Sequence, residues 1–355
     1  MAAKTPLHLT LCSQLFYPEL VSTGQTLTEL CEVLAQRQLH IQVLCAPPSI
    51  LHQDRVHSHM THHDIHIRRL KATQFPKSSF WGRLINQLTY TMSLLFYLLT
   101  HSDPSPLLCV TNPPFLAGFV GLIARIQKRP FIYLIFDVYP DTAIQLKVLS
   151  RFNPITLLWR FFNQVTYRCA TEIIVIGRCM KGHIEAELPR SCLGKLRLIP
   201  VWANDPLIQA PLTRAQSPLL TQWPFPEKFV VLYSGNMGRF HDLLSIVKAA
   251  RSLQSHSDIV FLFVSDGHQK PIIQDYVTQE QLQNCHFSPY VQRDELGTLF
   301  SKSSLGLVSL APNQIGLSVP SKTFGLLAAG LPIIGLLPSE SEIAYILTET
   351  QSGCV

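Results

Sequence analysis

The chain has 355 residues, 47% of them hydrophobic and 15% charged. That is ample apolar material for two cores of roughly 150 residues each, and too little charge for a disordered segment or a long coiled coil. A net charge of +6, from 29 basic and 23 acidic residues, is too mild for a nucleic-acid binder and fits a weak preference for anionic partners.

The N-terminus passes from a short polar lead into an apolar run with no charged n-region or small-residue cleavage site, so no secretory signal is expected. The nine cysteines, at 12, 31, 45, 109, 169, 179, 192, 285 and 354, contain no C-x-x-C pair. They read as thiols of a reducing compartment and place the chain in the cytoplasm. In chain order, β-rich runs are predicted at His8–Phe16, Ile41–Ala46, Leu107–Thr111, Phe131–Phe136, Glu172–Ile176 and Leu196–Ile199. A helix over Gln25–Gln38 carries Leu27, Leu30, Cys31 and Leu34 on one face. Between the second and third strands, His52, His57, His59, His62, His63 and His66 read as a polar surface loop. No cysteine or paired carboxylates join them to make a metal site. Leu84–Leu99 is free of charge but is broken by Asn86, Gln87, Thr89, Thr91 and Ser93, and it is too short to span a bilayer. With Arg68, Arg69, Lys71, Lys77 and Arg83 ahead of it, it is either a helix resting on an anionic membrane surface or an ordinary core helix beside a solvated loop.

Pro206, Pro211, Pro218, Pro224 and Pro226 break the pattern, which predicts a first domain over 1–205, a linker over 206–228 and a second domain over 229–355. The second domain repeats the alternation, with strands at Phe229–Tyr233, Ile259–Val264, His286–Val291, Leu305–Leu310 and Pro332–Leu336. Its helices are expected near Asp242–Leu253, Asp294–Ser301, Ser321–Ala329 and Glu340–Thr350. Gly353 is expected to cap the last of these, and Cys354-Val355 to open one more strand of a domain whose C-terminal end looks truncated. The fold class is α/β with two doubly wound, Rossmann-like domains, an architecture that binds ligands beyond the carboxyl ends of its strands.

Glycine-containing corners mark the candidate chemistry. Gly24 follows the first strand, and Ser234-Gly-Asn-Met-Gly-Arg239 follows the first strand of the second domain. Such corners bring backbone amides close to a phosphate, and the Arg239 fork suits one bidentately. Gly316–Thr323 comes near a P-loop but has Ser321 in place of the second glycine, so an NTPase is disfavoured; Lys322 remains placed to meet a phosphate.

The ordered set Pro18-Glu19 with Gly24, Thr111-Asn-Pro-Pro114, Asp137-Val-Tyr-Pro-Asp141, Tyr233-Ser-Gly-Asn236, Ser265-Asp-Gly267, Val319-Pro-Ser-Lys322 and Leu327-Ala-Ala-Gly330 resembles bacterial family 4 glycosyltransferases of the colanic-acid and exopolysaccharide type. The resemblance implies a GT-B fold whose two domains face a central cleft, with the acceptor on the first and a nucleotide-sugar donor on the second. It also implies retaining transfer of a hexosyl unit to a lipid-linked or polysaccharide acceptor, with no metal, no cofactor and no nucleic acid. Carried over, it assigns Gly24, Ser234, Gly235, Asn236, Arg239, Ser321 and Lys322 to the donor phosphates and Asp266 and Gly267 to the nucleobase region. Asp137 becomes the candidate catalytic or acceptor-orienting carboxylate, with Asp141 and Glu19 as rivals. Two glutamates usual in the family fall here on Leu317 and Gly325. Their loss keeps open a non-catalytic partner subunit, and an epimerase of the same two-domain architecture, acting on nucleotide sugars alone, is a further rival.

Overall fold

The computed structural model describes residues 7–19, 22–48, 57–76, 79–101, 103–203, 223–291 and 295–355. Most of the expected linker, residues 206–222, lies outside them, as do His52, Lys77 and Asp294. The chain divides into two compact units, Met1–Pro200 and Val201–Val355.

The first unit is built on an eight-stranded sheet of β1 (His8–Cys12), β2 (His40–Cys45), β3 (His59–His62), β4 (Ile65–Arg69), β5 (Leu107–Val110), β6 (Phe131–Ile135), β7 (Glu172–Val175) and β8 (Leu196–Leu198). Its order is β3-β4-β2-β1-β5-β6-β7-β8, parallel throughout except at β3. Helices α1 (Ser22–Gln36), α2 (Phe80–Thr100), α3 (Leu116–Ile126), α4 (Asp141–Gln145), α5 (Pro154–Cys169) and α6 (Arg178–Glu187) connect the strands. Every residue of β5 is buried, as expected of a central strand covered on both faces. Beneath it, Asp103 accepts from the Ser105 amide and hydroxyl, both at 2.8 Å, and from Thr10 at 3.2 Å, while Arg129 Nε donates to the Ser105 carbonyl at 2.8 Å.

From His59 to His66 the histidine-rich stretch is not a surface loop. It folds into the β3–β4 hairpin, whose turn residues His63 and Asp64 have φ of 45° and 63°, the backbone of a tight two-residue turn. The buried Ile65 and Ile67, alternating with polar residues, carry the strand signal that the histidines mask. In α2 the polar interruptions anchor the helix. Asn86 Oδ1 accepts from Thr73 and from the Phe75 amide, each at 2.9 Å, and the Tyr90 hydroxyl donates to the Leu44 carbonyl at 2.8 Å.

The second unit has a six-stranded, all-parallel sheet of β9 (Phe229–Ser234), β10 (Ile259–Val264), β11 (Cys285–Ser288), β12 (Leu305–Ser309), β13 (Ile333–Leu336) and β14 (Gly353–Cys354), in the order β11-β10-β9-β12-β13-β14. Its helices are α7 (Leu243–Ser252), α8 (Lys270–Gln279), α9 (Leu296–Ser301), α10 (Lys322–Ala328) and α11 (Glu342–Thr350). The apolar face of α7, Leu243, Ile246, Val247 and Ala250, packs on Tyr233, Phe261 and Phe263. The chain reaches β10 on one side of β9 and returns to β12 on the other, which makes the C-terminal end of β9 a topological switch point.

Cys354 does open a further strand, but Gly353 is not the cap. Gln351, with φ of 51°, closes α11, and Gly353 belongs to β14, where a Cβ would lie 2.0 Å from the Ile333 carbonyl oxygen. No disulfide joins any of the nine cysteines, and burial pushes the thiols of Cys12, Cys45 and Cys285 up to about 12.

Candidate active site

The switch point of the second unit gathers residues far apart in sequence. Beyond β9 the backbone turns at Gly235, with φ of +126°, a conformation that glycine adopts without strain. Lys322, where α10 begins, packs there: a Cβ on Gly235 would lie 3.1 Å from Lys322 Cε and 3.4 Å from Nζ. The Lys322 ammonium sits 3.6 Å from the centre of the Tyr233 ring. It is buried without a hydrogen-bond partner, although the residue as a whole is only half-buried. Burial holds its pKa well below the usual lysine range.

The surrounding loop is tied down by backbone bonds. Asp266 accepts from the Met237 amide at 2.8 Å, and Val264 from the Gly235 amide at 3.1 Å. Gly267, with φ of +138°, has no room for a side chain, since a Cβ would fall 2.4 Å from Asn236 Oδ1. His241 Nδ1 bonds the Ser309 carbonyl at 2.5 Å; burial, then the Lys322 charge, lowers its pKa to about 3, so its ring is neutral. Asp242 caps α7 by accepting from the Ser245 amide at 3.2 Å.

Ser234, Gly235, Asn236, Gly267 and Lys322 thus converge, with the backbone of Asp266, at one strand end. The Asp266 and Arg239 side chains are exposed, Arg239 on the same loop, and Ser321 is half-buried beside Lys322. Three further polar groups near these strand ends are given no role by the sequence reading. The Ser265 hydroxyl, the Gln314 amide and the Thr323 hydroxyl are all buried without hydrogen-bond partners, in the segments that follow β10 and β12. Buried polar atoms left unpaired mark places where a ligand or water completes the bonding.

In the first unit, Asp137 follows β6, and burial pushes its carboxyl up to about 6. Among the described residues no cation pairs with it, whereas its rival Asp141 is held by Arg160 at 3.1 Å. Beyond Asp137, Tyr139 stacks on Trp159 with ring centres 5.2 Å apart, and Phe115 and Phe162 complete the wall of a small pocket. Gly24 does not sit at a turn before the helix, because α1 already begins at Ser22. It is buried against the Phe16–Glu19 segment, where a Cβ would lie 3.1 Å from that of Glu19.

Residues 23–202 match the glycosyl transferase 4-like domain. The chain belongs to the glycosyl transferase 4-like family. It is 26% identical over 245 residues to glycosyltransferase WbjE of Pseudomonas aeruginosa, an alignment covering 68% of this chain but 60% of WbjE. It is 24% identical over 328 residues to WcaI of Escherichia coli K12, named for colanic acid biosynthesis, covering 89% of this chain and 79% of that one. Among solved structures it is similar to HepE of Anabaena in complex with UDP-glucose, with a TM-score of 0.66 and 14% identity over 98% of this chain and 91% of HepE. The likeness establishes the GT-B fold for this family member. At the positions where the resemblance leads one to expect glutamates, Leu317 is buried and Gly325 lies within α10.

Proposed function

We propose that this family member is a retaining glycosyltransferase that moves a hexosyl unit from a nucleoside diphosphate sugar to a lipid-linked or polysaccharide acceptor in envelope or exopolysaccharide biosynthesis. The observation that carries the reading is the buried, unpartnered Lys322 ammonium at the β9 switch point, pressed against Gly235 and Tyr233. Nucleotide-sugar cleavage develops negative charge on the departing diphosphate, and a preorganised cation in a water-poor corner stabilises that charge. A diphosphate there would accept from Lys322 and from the loop amides, with Arg239 closing over it from the exposed side of the loop. In this scheme Lys322 and Arg239 supply the charge that a metal would otherwise provide, and the nucleotide sugar is the only co-substrate. Asp137 is the carboxylate proposed to orient or deprotonate the acceptor hydroxyl. The work would take place at the cytoplasmic face of a membrane that presents the acceptor.

The reading is supported by family membership, by a relative named for colanic acid biosynthesis and by the UDP-glucose held by the similar HepE. Its test is calorimetric titration with UDP, GDP and their sugars, followed by nucleotide release with a lipid-linked saccharide in the presence of a chelator. Binding together with acceptor-dependent release is expected. Product formed without acceptor would point to an epimerase. Neither binding nor turnover, with a stable complex formed with another transferase, would identify a non-catalytic subunit.

A further inference from the structure

Helix α2 exposes an apolar stripe along its whole length. Trp81, Leu88, Met92, Phe96 and Leu99 are 68%, 59%, 60%, 70% and 63% exposed, and Leu84 and Ile85 lie on the same side. The spacing of three and four residues puts them on one face of a helix about 30 Å long. The opposite face is committed to the core through Asn86, Tyr90, Leu94 and Leu98. The stripe continues sideways. Helix α3 packs on both α2 and α5, and exposes Leu122 and Ile126; α5 exposes Ile155, Leu158 and Phe161. An apolar surface of this extent on a soluble unit marks an interaction face.

Charge identifies the partner. The sequences of α2, α3 and α5 contain no aspartate or glutamate, while Arg83, Arg125 and Arg168 on them and Lys128, Lys147 and Arg151 in their connections are exposed. The carboxylates of the connections are engaged or drawn inward: Asp103 is occupied by Ser105, Thr10 and Arg129, Asp141 pairs with Arg160, and Asp137 is half-buried beyond β6. A second copy of the chain would bring this basic rim against its own image, with no carboxylate on the three helices to offset it. No helix among the described residues is long and apolar enough to cross a membrane, and the polar bonds of α2 hold its inner face to the unit. We infer that the α2–α3–α5 face docks flat on an anionic lipid bilayer, its large apolar side chains entering the interface and its arginines and lysines meeting the headgroups. The inference rests on these exposed side chains alone and stands apart from the donor chemistry.

The test is flotation of the full chain with vesicles of phosphatidylglycerol and phosphatidylethanolamine, against vesicles of phosphatidylcholine. The chain is expected to float with the anionic vesicles, less so at high salt, with a blue shift of the Trp81 emission that is lost in Trp81→Phe. A double variant, Leu88→Glu with Phe96→Glu, is expected to weaken vesicle binding by at least about tenfold, because it removes two insertions and adds repulsion. Both side chains are exposed, so the melting temperature and nucleotide affinity of the double variant should match the parent, which separates a failed surface from a failed fold or donor site. No flotation, equal flotation of parent and double variant, or equal binding to phosphatidylcholine would overturn the inference. So would a concentration-dependent dimer in vesicle-free sedimentation that the double variant abolishes, since that would make a second copy the occupant.

Discussion

Replacing Asp137 by asparagine separates its chemistry from its energetic cost. Burial raises its carboxyl from 3.8 to about 6. A shift of ~2 units corresponds to roughly 3 kcal/mol, at ~1.4 kcal/mol per unit, by which the folded chain disfavours the ionised form. Since the residue as a whole is half-buried, solvent screening makes that figure an upper bound. The direction follows from linkage. A carboxyl whose folded pKa is raised destabilises the fold fully above about 6, less as the pH falls through that value, and not at all below 3.8. Asp137→Asn should therefore raise the melting temperature of the first unit near neutral pH by several degrees, at roughly 2–4 °C per kcal/mol, and lose the advantage in acid. The same variant should lose turnover while keeping its donor affinity, because a group retained against its own cost is retained for function. Paired thermal melts at neutral pH and near pH ~4, with donor titration and nucleotide release, make the measurement. An unchanged or lower melting temperature at neutral pH, or a gain of equal size in acid, would refute the argument from burial. Full turnover in the variant would remove Asp137 from the chemistry.

Lys322→Met should weaken nucleoside diphosphate binding about tenfold to a hundredfold, the weight of a charge-assisted bond, while leaving the melting temperature unchanged or higher, since a buried unpaired charge is replaced by an apolar chain of similar length. Because burial depresses the Lys322 pKa and a bound anion offsets that, binding should take up a proton in the pH range around the lowered value, and affinity should fall as the pH rises through it. Calorimetry in buffers of different ionisation heat would detect that proton, and its absence would count against the assignment. Gly235→Ala should cost about 1–2 kcal/mol in urea denaturation, from the +126° φ and the crowding on Lys322, and should weaken nucleotide binding as well. Asp103→Ala should destabilise the first unit by about 1–3 kcal/mol near neutral pH. Burial tends to raise the Asp103 pKa, but the Ser105 bonds, Arg129 and Thr10 outweigh it and hold it below the ordinary value. The difference between parent and variant should therefore be full above the ordinary carboxylate range and shrink as the pH falls through the lowered value.

The alternation of apolar runs with helical periods made both sheets legible, and β10, expected over Ile259–Val264, matches residue for residue. Strand ends were less legible. The run expected through Phe16 pairs only to Cys12, because Phe16 in the following loop is buried like a strand residue and periodicity cannot separate the two. The β3–β4 hairpin is hidden because histidines stand on both of its faces, His59 and His66 outward and His62 opposite Ile65, so that composition outweighs the alternation of Ile65 and Ile67. Gly353 was read by residue type as a helix cap, yet Gln351 takes the left-handed position and the glycine is needed for close strand pairing. Of the two readings of α2, the core contact is seen on one face, through Asn86, Tyr90, Leu94 and Leu98, while the other face is exposed.

The donor corner shows why site residues resist reading from a line of sequence. Tyr233 and Gly235 precede Lys322 by almost ninety positions, and they meet only because β12 returns to pair with β9 on the side opposite β10. Burying an ammonium without a partner costs several kcal/mol even after relaxation, and the Tyr233 ring recovers only about 1–2 of them. No packing argument favours keeping such a residue, because a methionine would fill the same space at lower cost. The balance changes when an anion arrives. The desolvation is then already complete, the donors are already aimed, and the ammonium gains its partner without further rearrangement. On that reasoning the unpaired Ser265, Gln314 and Thr323 around the same strand ends belong to the resting form of a binding corner, and bound nucleotide should stabilise the second unit more strongly than the first.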